Sequence, residues 1–135
     1  GIHIVDDDTN LRRARELGLH FEVCPSSNVH TGAAASLTAH PLRRMLDAGL
    51  SVSLSTDNRL MSGVMLSDEL RIAHEVLGLD LPTLRALNRA AAAASFLPTT
   101  ARAAALAALK LDLSGTAPAA ATTRSPGTDK AARWR

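Results

Sequence analysis

Apolar positions along this chain fall into two kinds of pattern. Short runs at 19–24 (Leu19-His20-Phe21-Glu22-Val23-Cys24) and 50–55 (Leu50-Ser51-Val52-Ser53-Leu54-Ser55) have strand length and end in polar turns. Elsewhere, large residues and alanines recur at helical spacing. Asp8, Thr9 and Asn10 offer N-caps to a helix carrying Leu11, Ala14 and Leu17, with Gly18 at its end. Pro41 suits the first turn of a second helix, with Leu42, Met45 and Leu46 on one face and Gly49 closing it. A polar loop is expected at 25–38. After the second strand, Ser67 is placed to cap a helix striped by Leu70, Ala73 and Leu77, with Asp68 and Glu69 favouring its dipole. A further helix is expected at 82–95 through Leu84, Leu87, Ala91 and Ala94. An alanine-rich one follows at 101–110, anchored by Leu106 and Leu109.

Strand, helix, strand in that order make one βαβ unit, and the expected class is α/β. From Ser114 onward the composition shifts to Ala, Thr, Ser, Pro and Gly with a basic end. The chain therefore divides into a folded portion, 1–112, and a disordered basic tail, 113–135. In parallel α/β sheets and barrels, catalytic and metal-binding side chains collect where strands end. Asp57 arrives at such a point, directly after the second apolar run, and Asn58 follows it. A turn or N-cap is the ordinary fate of a Thr-Asp-Asn triplet, and that reading stands beside the functional one for both residues.

Composition narrows the classes. The net charge is +2 and the aromatic share is 2%, with no tyrosine, so stacking platforms for single-stranded nucleic acid are lacking. Nothing approaches the roughly 20 apolar residues of a membrane span. One cysteine excludes an internal disulfide framework and fits a reducing, cytoplasmic setting. The acidic start, Asp6-Asp7-Asp8, is unlike the basic n-region of a signal peptide. Five histidines invite a metal reading, but none forms a His-x-His or His-Glu-x-x-His pair, and surface or supporting positions are expected for them. Cys24 has no identifiable base and is expected to behave as a small hydrophobe. Arg12, Arg13, Arg15, Arg43 and Arg44 are expected on solvated helix faces, without a Gly-rich cradle for phosphate.

Three motifs in order carry a family resemblance. Phe21-Glu22-Val23-Cys24-Pro25-Ser26-Ser27-Asn28 followed by Thr31-Gly32 resembles the EVCP-x-SN…TG segment of the adenosine deaminases. Ser55-Thr56-Asp57-Asn58 resembles the family's STDD or STDN turn, and Asn88-Arg89-Ala90 through Ser95-Phe96-Leu97-Pro98 resembles its N-x-A…SF-L helix end. The resemblance covers approximately residues 1 to 110. It implies the C-terminal part of a TIM-type (β/α)₈ barrel, the last two strands followed by helices. A whole barrel needs about 250 residues. In the family's register, Gly1-Ile2-His3-Ile4-Val5-Asp6-Asp7 begins at the last glycine of the segment that carries the catalytic histidine. The histidine zinc ligands and the general-acid glutamate are expected further upstream still. The chain is thus expected to be a C-terminal fragment, marginal in stability and inactive alone.

The resemblance also implies chemistry. Asp57 would be a ligand of a catalytic Zn²⁺ and could accept a proton from the attacking water. Asn58 would hydrogen-bond a ring nitrogen of the purine. Many family members have aspartate at that second position. Asparagine carries an obligatory NH₂ donor where aspartate must be protonated to donate. The implied activity is that of a zinc hydrolase converting adenosine or deoxyadenosine to inosine and ammonia, with a purine nucleoside as its partner. Two alternatives stand: a deaminase of another aminopurine, and a non-catalytic α/β module whose open edges bind a partner. Oligomeric state is left open.

Overall fold

A computed structural model describes residues 1–111. A 3-10 turn, Ile2–Asp6, leads into α1 (Asp8–Glu16) and then β1 (His20–Val23). Two short helices follow, α2 (Pro25–His30) and α3 (Leu42–Asp47), before β2 (Ser51–Leu54). A four-residue helix, α4 (Arg59–Ser62), leaves the end of β2. Then come α5 (Leu66–Glu75), α6 (Leu81–Ala94) and α7 (Thr99–Leu111). The expected tail, 113–135, lies outside the described residues.

β1 and β2 pair in parallel, His20 opposite Ser51 through Val23 opposite Leu54. Parallel strands need a crossover, and α2 and α3 supply it. Val23 on β1 and Val52 and Leu54 on β2 are buried, and α6 packs on β2. Leu42 and Met45 of α3 are fully enclosed beside them, with Ala73, Leu79, Leu84 and Leu87 from the later segments completing the core. The class is α/β, as expected. Among the described residues the sheet has two strands, and a closed barrel is not formed within them.

Local chemistry sets the helix limits. Asp7 accepts the backbone N–H groups of Thr9 and Asn10 at 2.9 and 3.0 Å and caps α1, which ends before Gly18 in the left-handed region. Asp80 caps α6 by accepting the Thr83 N–H at 2.9 Å. Ser67 does not cap α5. The cap position falls two residues earlier, at Met65, and Asp68 accepts the N–H of Met65 at 2.9 Å. The expected loop at 25–38 contains α2, because Pro25 occupies a first-turn position while a distant side chain supplies the missing cap. Arg43 and Arg44 do more than face solvent. Arg43 donates to the carbonyl of Gly78 at 2.6 Å, and Arg44 to that of Val5 at 2.9 Å, clipping α3 to its neighbours.

Candidate functional site

Parallel pairing in register brings the carboxyl ends of β1 and β2 to one level. The Ser55 N–H donates to the Val23 carbonyl at 2.9 Å, extending the ladder one residue past β2. Cys24 and Ser55 therefore leave the sheet side by side, and Asp57 follows within two residues. Asp57 has φ +54°, and it is the one non-glycine residue with positive φ among those described. Aspartate tolerates that conformation better than most side chains, yet it still costs backbone strain. The turn exposes the Asp57 side chain at the strand ends, where Ser27 Oγ donates to its Oδ2 at 2.8 Å.

Ser27 is held by α2. The N-cap of that helix is Cys24, which makes no capping hydrogen bond, and Pro25 has no N–H to offer. The first N–H needing a partner is that of Ser26, and it is buried. Glu69 on α5 answers it. Its carboxylate, wholly shielded from solvent, has both oxygens 3.3 Å from the Ser26 nitrogen. Burial pushes the Glu69 carboxyl above its ordinary range, opposed by the hydrogen bonding from Ser26. The buried Ser26 hydroxyl has no hydrogen-bond partner, although it lies near enough to Glu69 to favour the carboxylate, and the backbone N–H makes the bond.

Cys24 is half-buried at the same level. Burial pushes its thiol up, the Asp57 charge adds to that, and hydrogen bonding to Ser55 and Asp57 opposes it. A raised thiol pKa disfavours the thiolate, which agrees with the expected reading of Cys24 as an unreactive hydrophobe. Asn58 caps α4: its Oδ1 accepts the N–H groups of Leu60 at 3.0 Å and Met61 at 3.2 Å. The local turn role weighed for Asn58 is thus present. It also orients the amide, since with Oδ1 committed as acceptor the NH₂ is the group left to donate elsewhere.

The histidines are dispersed. His20 bridges the strands, Nδ1 to Ser51 Oγ at 2.8 Å and Nε2 to Ser53 Oγ at 2.9 Å. His74 Nδ1 donates to the Leu79 carbonyl at 2.7 Å. His40, expected at a surface or supporting position, is buried as a strut. The Leu42 N–H donates to its Nδ1 at 3.1 Å, and its Nε2 bonds Asn28 Oδ1 at 3.0 Å. Among the described residues no group of three or more His, Cys, Asp or Glu side chains stands close enough to hold a metal ion. Asp57 offers one oxygen donor, which by itself falls short of the three protein ligands of a catalytic zinc. Sequence reasoning missed Glu69 as part of this neighbourhood. Its place in the first turn of α5 explained it locally, so nothing pointed to α2.

The adenosine deaminase family model matches residues 1–110. An adenine deaminase of Rhizobium leguminosarum is 35% identical over 109 residues, covering 81% of this chain and 34% of that protein. An adenosine deaminase of Clostridium botulinum is 34% identical over 96 residues, covering 71% of this chain and 29% of that protein. Among solved structures, adenine deaminase from Arthrobacter aurescens superposes with a TM-score of 0.81 at 27% identity, covering 85% of this chain and 35% of that one. The N6-methyl-AMP deaminase from Arabidopsis thaliana gives 0.71 at 25% identity, covering 78% and 31%. The chain spans about a third of the length of the curated relatives it matches.

Proposed function

The chain belongs to the adenosine deaminase family, hydrolases acting on amidine C–N bonds, and from that we propose that it carries part of the active site of an aminopurine deaminase, with Asp57 as its reacting-site carboxylate. The observation that supports this most is the placement of Asp57. Its side chain is exposed at the joint carboxyl end of two parallel strands, in a left-handed turn, with one oxygen held by Ser27 at 2.8 Å. The left-handed φ alone suits an aspartate in a turn, but a residue with only a turn to make does not need a hydrogen bond from a serine 30 positions away.

In this reading Asp57 contributes one ligand to a catalytic zinc. When bound, such an ion would lower the pKa of a water towards neutrality and so make hydroxide available as a nucleophile. The described residues do not complete the ligand set. What this chain itself does is hold the Asp57 carboxylate, available as a proton acceptor, and present the Asn58 NH₂ as a donor to a ring nitrogen of the base. Adenosine or deoxyadenosine is the proposed substrate, with inosine and ammonia as products. Adenine is the second reading, favoured by the matches to adenine deaminases on both the sequence and the structure side.

The test is the gene product purified from its source cells, assayed for bound zinc, for release of ammonia from adenosine and adenine, and for release of methylamine from N6-methyl-AMP. Zinc with turnover of one of these purines supports the reading, and the product identifies the substrate. A zinc-free protein that deaminates none of them overturns it. Residues 1–135 purified alone are expected to be inactive, and zinc-dependent loss of adenosine absorbance with that chain would refute this expectation.

A further inference from the structure

Glu69 is the carboxylate most completely removed from water among the described residues, at 0% exposure. A buried carboxylate is unfavourable unless hydrogen-bonded, and an apolar side chain at this point of α5 would fill the space without that cost. The hydrogen bond it makes is specific. Cys24 cannot cap α2, Pro25 has no N–H, and the Ser26 N–H would be a buried orphan. Glu69, 43 residues away in sequence, receives it. The next residue, Ser27, is 7% exposed and has its hydroxyl on Asp57. One carboxylate therefore fixes the turn of helix from which a hydroxyl fixes the other.

We propose that Glu69 is a positioning residue for Asp57: by capping α2 from outside, it sets the place from which Ser27 Oγ holds the Asp57 carboxylate in its left-handed turn. Its meaning for catalysis rests on the reading of Asp57 given above. A purely structural Glu69 would tie α5 to α2 and leave Asp57 indifferent to it, so the measurement has to be made at Asp57.

The experiment uses the whole 135-residue chain, isotope-labelled for NMR, as wild type and as Glu69→Met, Ser27→Ala, Cys24→Ser and Cys24→Ser/Glu69→Met. Methionine keeps roughly the bulk of Glu69 and removes the oxygen acceptor, which glutamine would retain. The Ser26 amide is expected to exchange faster in Glu69→Met by about tenfold or more, the range for a hydrogen bond to a charged acceptor. The Asp57 amide and carboxyl resonances are expected to move in the direction seen in Ser27→Ala. In Cys24→Ser/Glu69→Met the new N-cap hydroxyl can accept the Ser26 N–H itself, so the Asp57 resonances are expected to return towards those of Cys24→Ser. Rescue through a local cap separates positioning from packing. Asp57 resonances unmoved in Glu69→Met, or moved and not restored by the serine cap, overturn the proposal. Should both Glu69 variants fail to fold, Glu69→Asp decides, since it keeps the charge and draws the carboxylate back from Ser26 by one methylene: Asp57 resonances moved in the Ser27→Ala direction support the proposal, and unmoved ones overturn it. None of these readouts needs metal or purine. A failed deaminase assay therefore leaves the coupling measurable, and an absent coupling leaves the deaminase reading intact.

Discussion

Acidification is expected to act on His40 before it reaches most carboxylates. Burial holds this imidazole down to about 4 from an ordinary 6.5, and its two nitrogens face neutral partners, the Leu42 N–H and the Asn28 amide oxygen. Protonation would set an N–H at Nδ1 against the Leu42 N–H. The folded pKa lies below the unfolded one, so the unfolded chain takes up the proton first as pH falls. Stability from the neutral imidazole is complete above pH 6.5, declines between 6.5 and about 4, and then levels off. The full window corresponds to about 3 kcal/mol, and the part between about pH 7.5 and pH 5 to roughly 2 kcal/mol. Urea unfolding of wild type and His40→Gln at those two pH values isolates the effect, because carboxylate titration is common to both. Wild type is expected to lose about 2 kcal/mol more than the variant over that interval. Equal losses, or a His40 titration by NMR at its ordinary value, would refute the reasoning.

Three other outcomes are expected. Leu42→Ala, at a position with no exposed surface, should cost about 2–5 kcal/mol in urea unfolding through transfer and cavity terms together; a loss under 1 kcal/mol would mean the site collapses around the smaller side chain. Alkylation of Cys24 by iodoacetamide should reach half its limiting rate at a pH above 9.0, since burial and Asp57 both raise the thiol; a midpoint below that value would show an activated cysteine instead. Asp80→Ala should speed amide exchange at Thr83 and fray the start of α6, and the native Asp80 carboxyl should titrate below 3.8 because the Thr83 hydroxyl first, and its N–H second, favour the carboxylate; unchanged exchange would remove it as the cap.

The order of elements was legible in the sequence because its signals are local. Apolar runs bounded by glycine mark β1 and β2, and Gly18 and Gly49 sit in the left-handed region that ends the helices before them. Helix α2 was not legible. Its residues Ser26, Ser27 and Asn28 are polar although the first two are buried, and its stabilising cap comes from another helix. Glu69 was legible only in part: it is a first-turn acid beside Asp68, as expected, and that local fit hid its bond to Ser26, 43 positions away. Asp57 was marked by its position after an apolar run, but its left-handed backbone and its bond to Ser27 are tertiary facts. The roles proposed for Asp57 and Asn58 came from the family resemblance. Asn58 shows what spacing alone would have offered, a helix cap.

The bonds that shape the Asp57 turn join residues far apart along the chain: Ser27 to Asp57 across 30 positions and Ser26 to Glu69 across 43. Closing such loops costs entropy that is repaid only after the intervening segments are in place. A peptide spanning the second strand and its turn would keep the Asn58 cap, whose partners lie two and three residues on, and would lack everything that orients Asp57. The carboxylate is therefore expected to acquire its geometry late, once Glu69 of α5 meets Ser26 of α2. Substitutions that slow or loosen that closure, even well away from Asp57, should lower the fraction of molecules holding a competent turn before they lower the fraction folded.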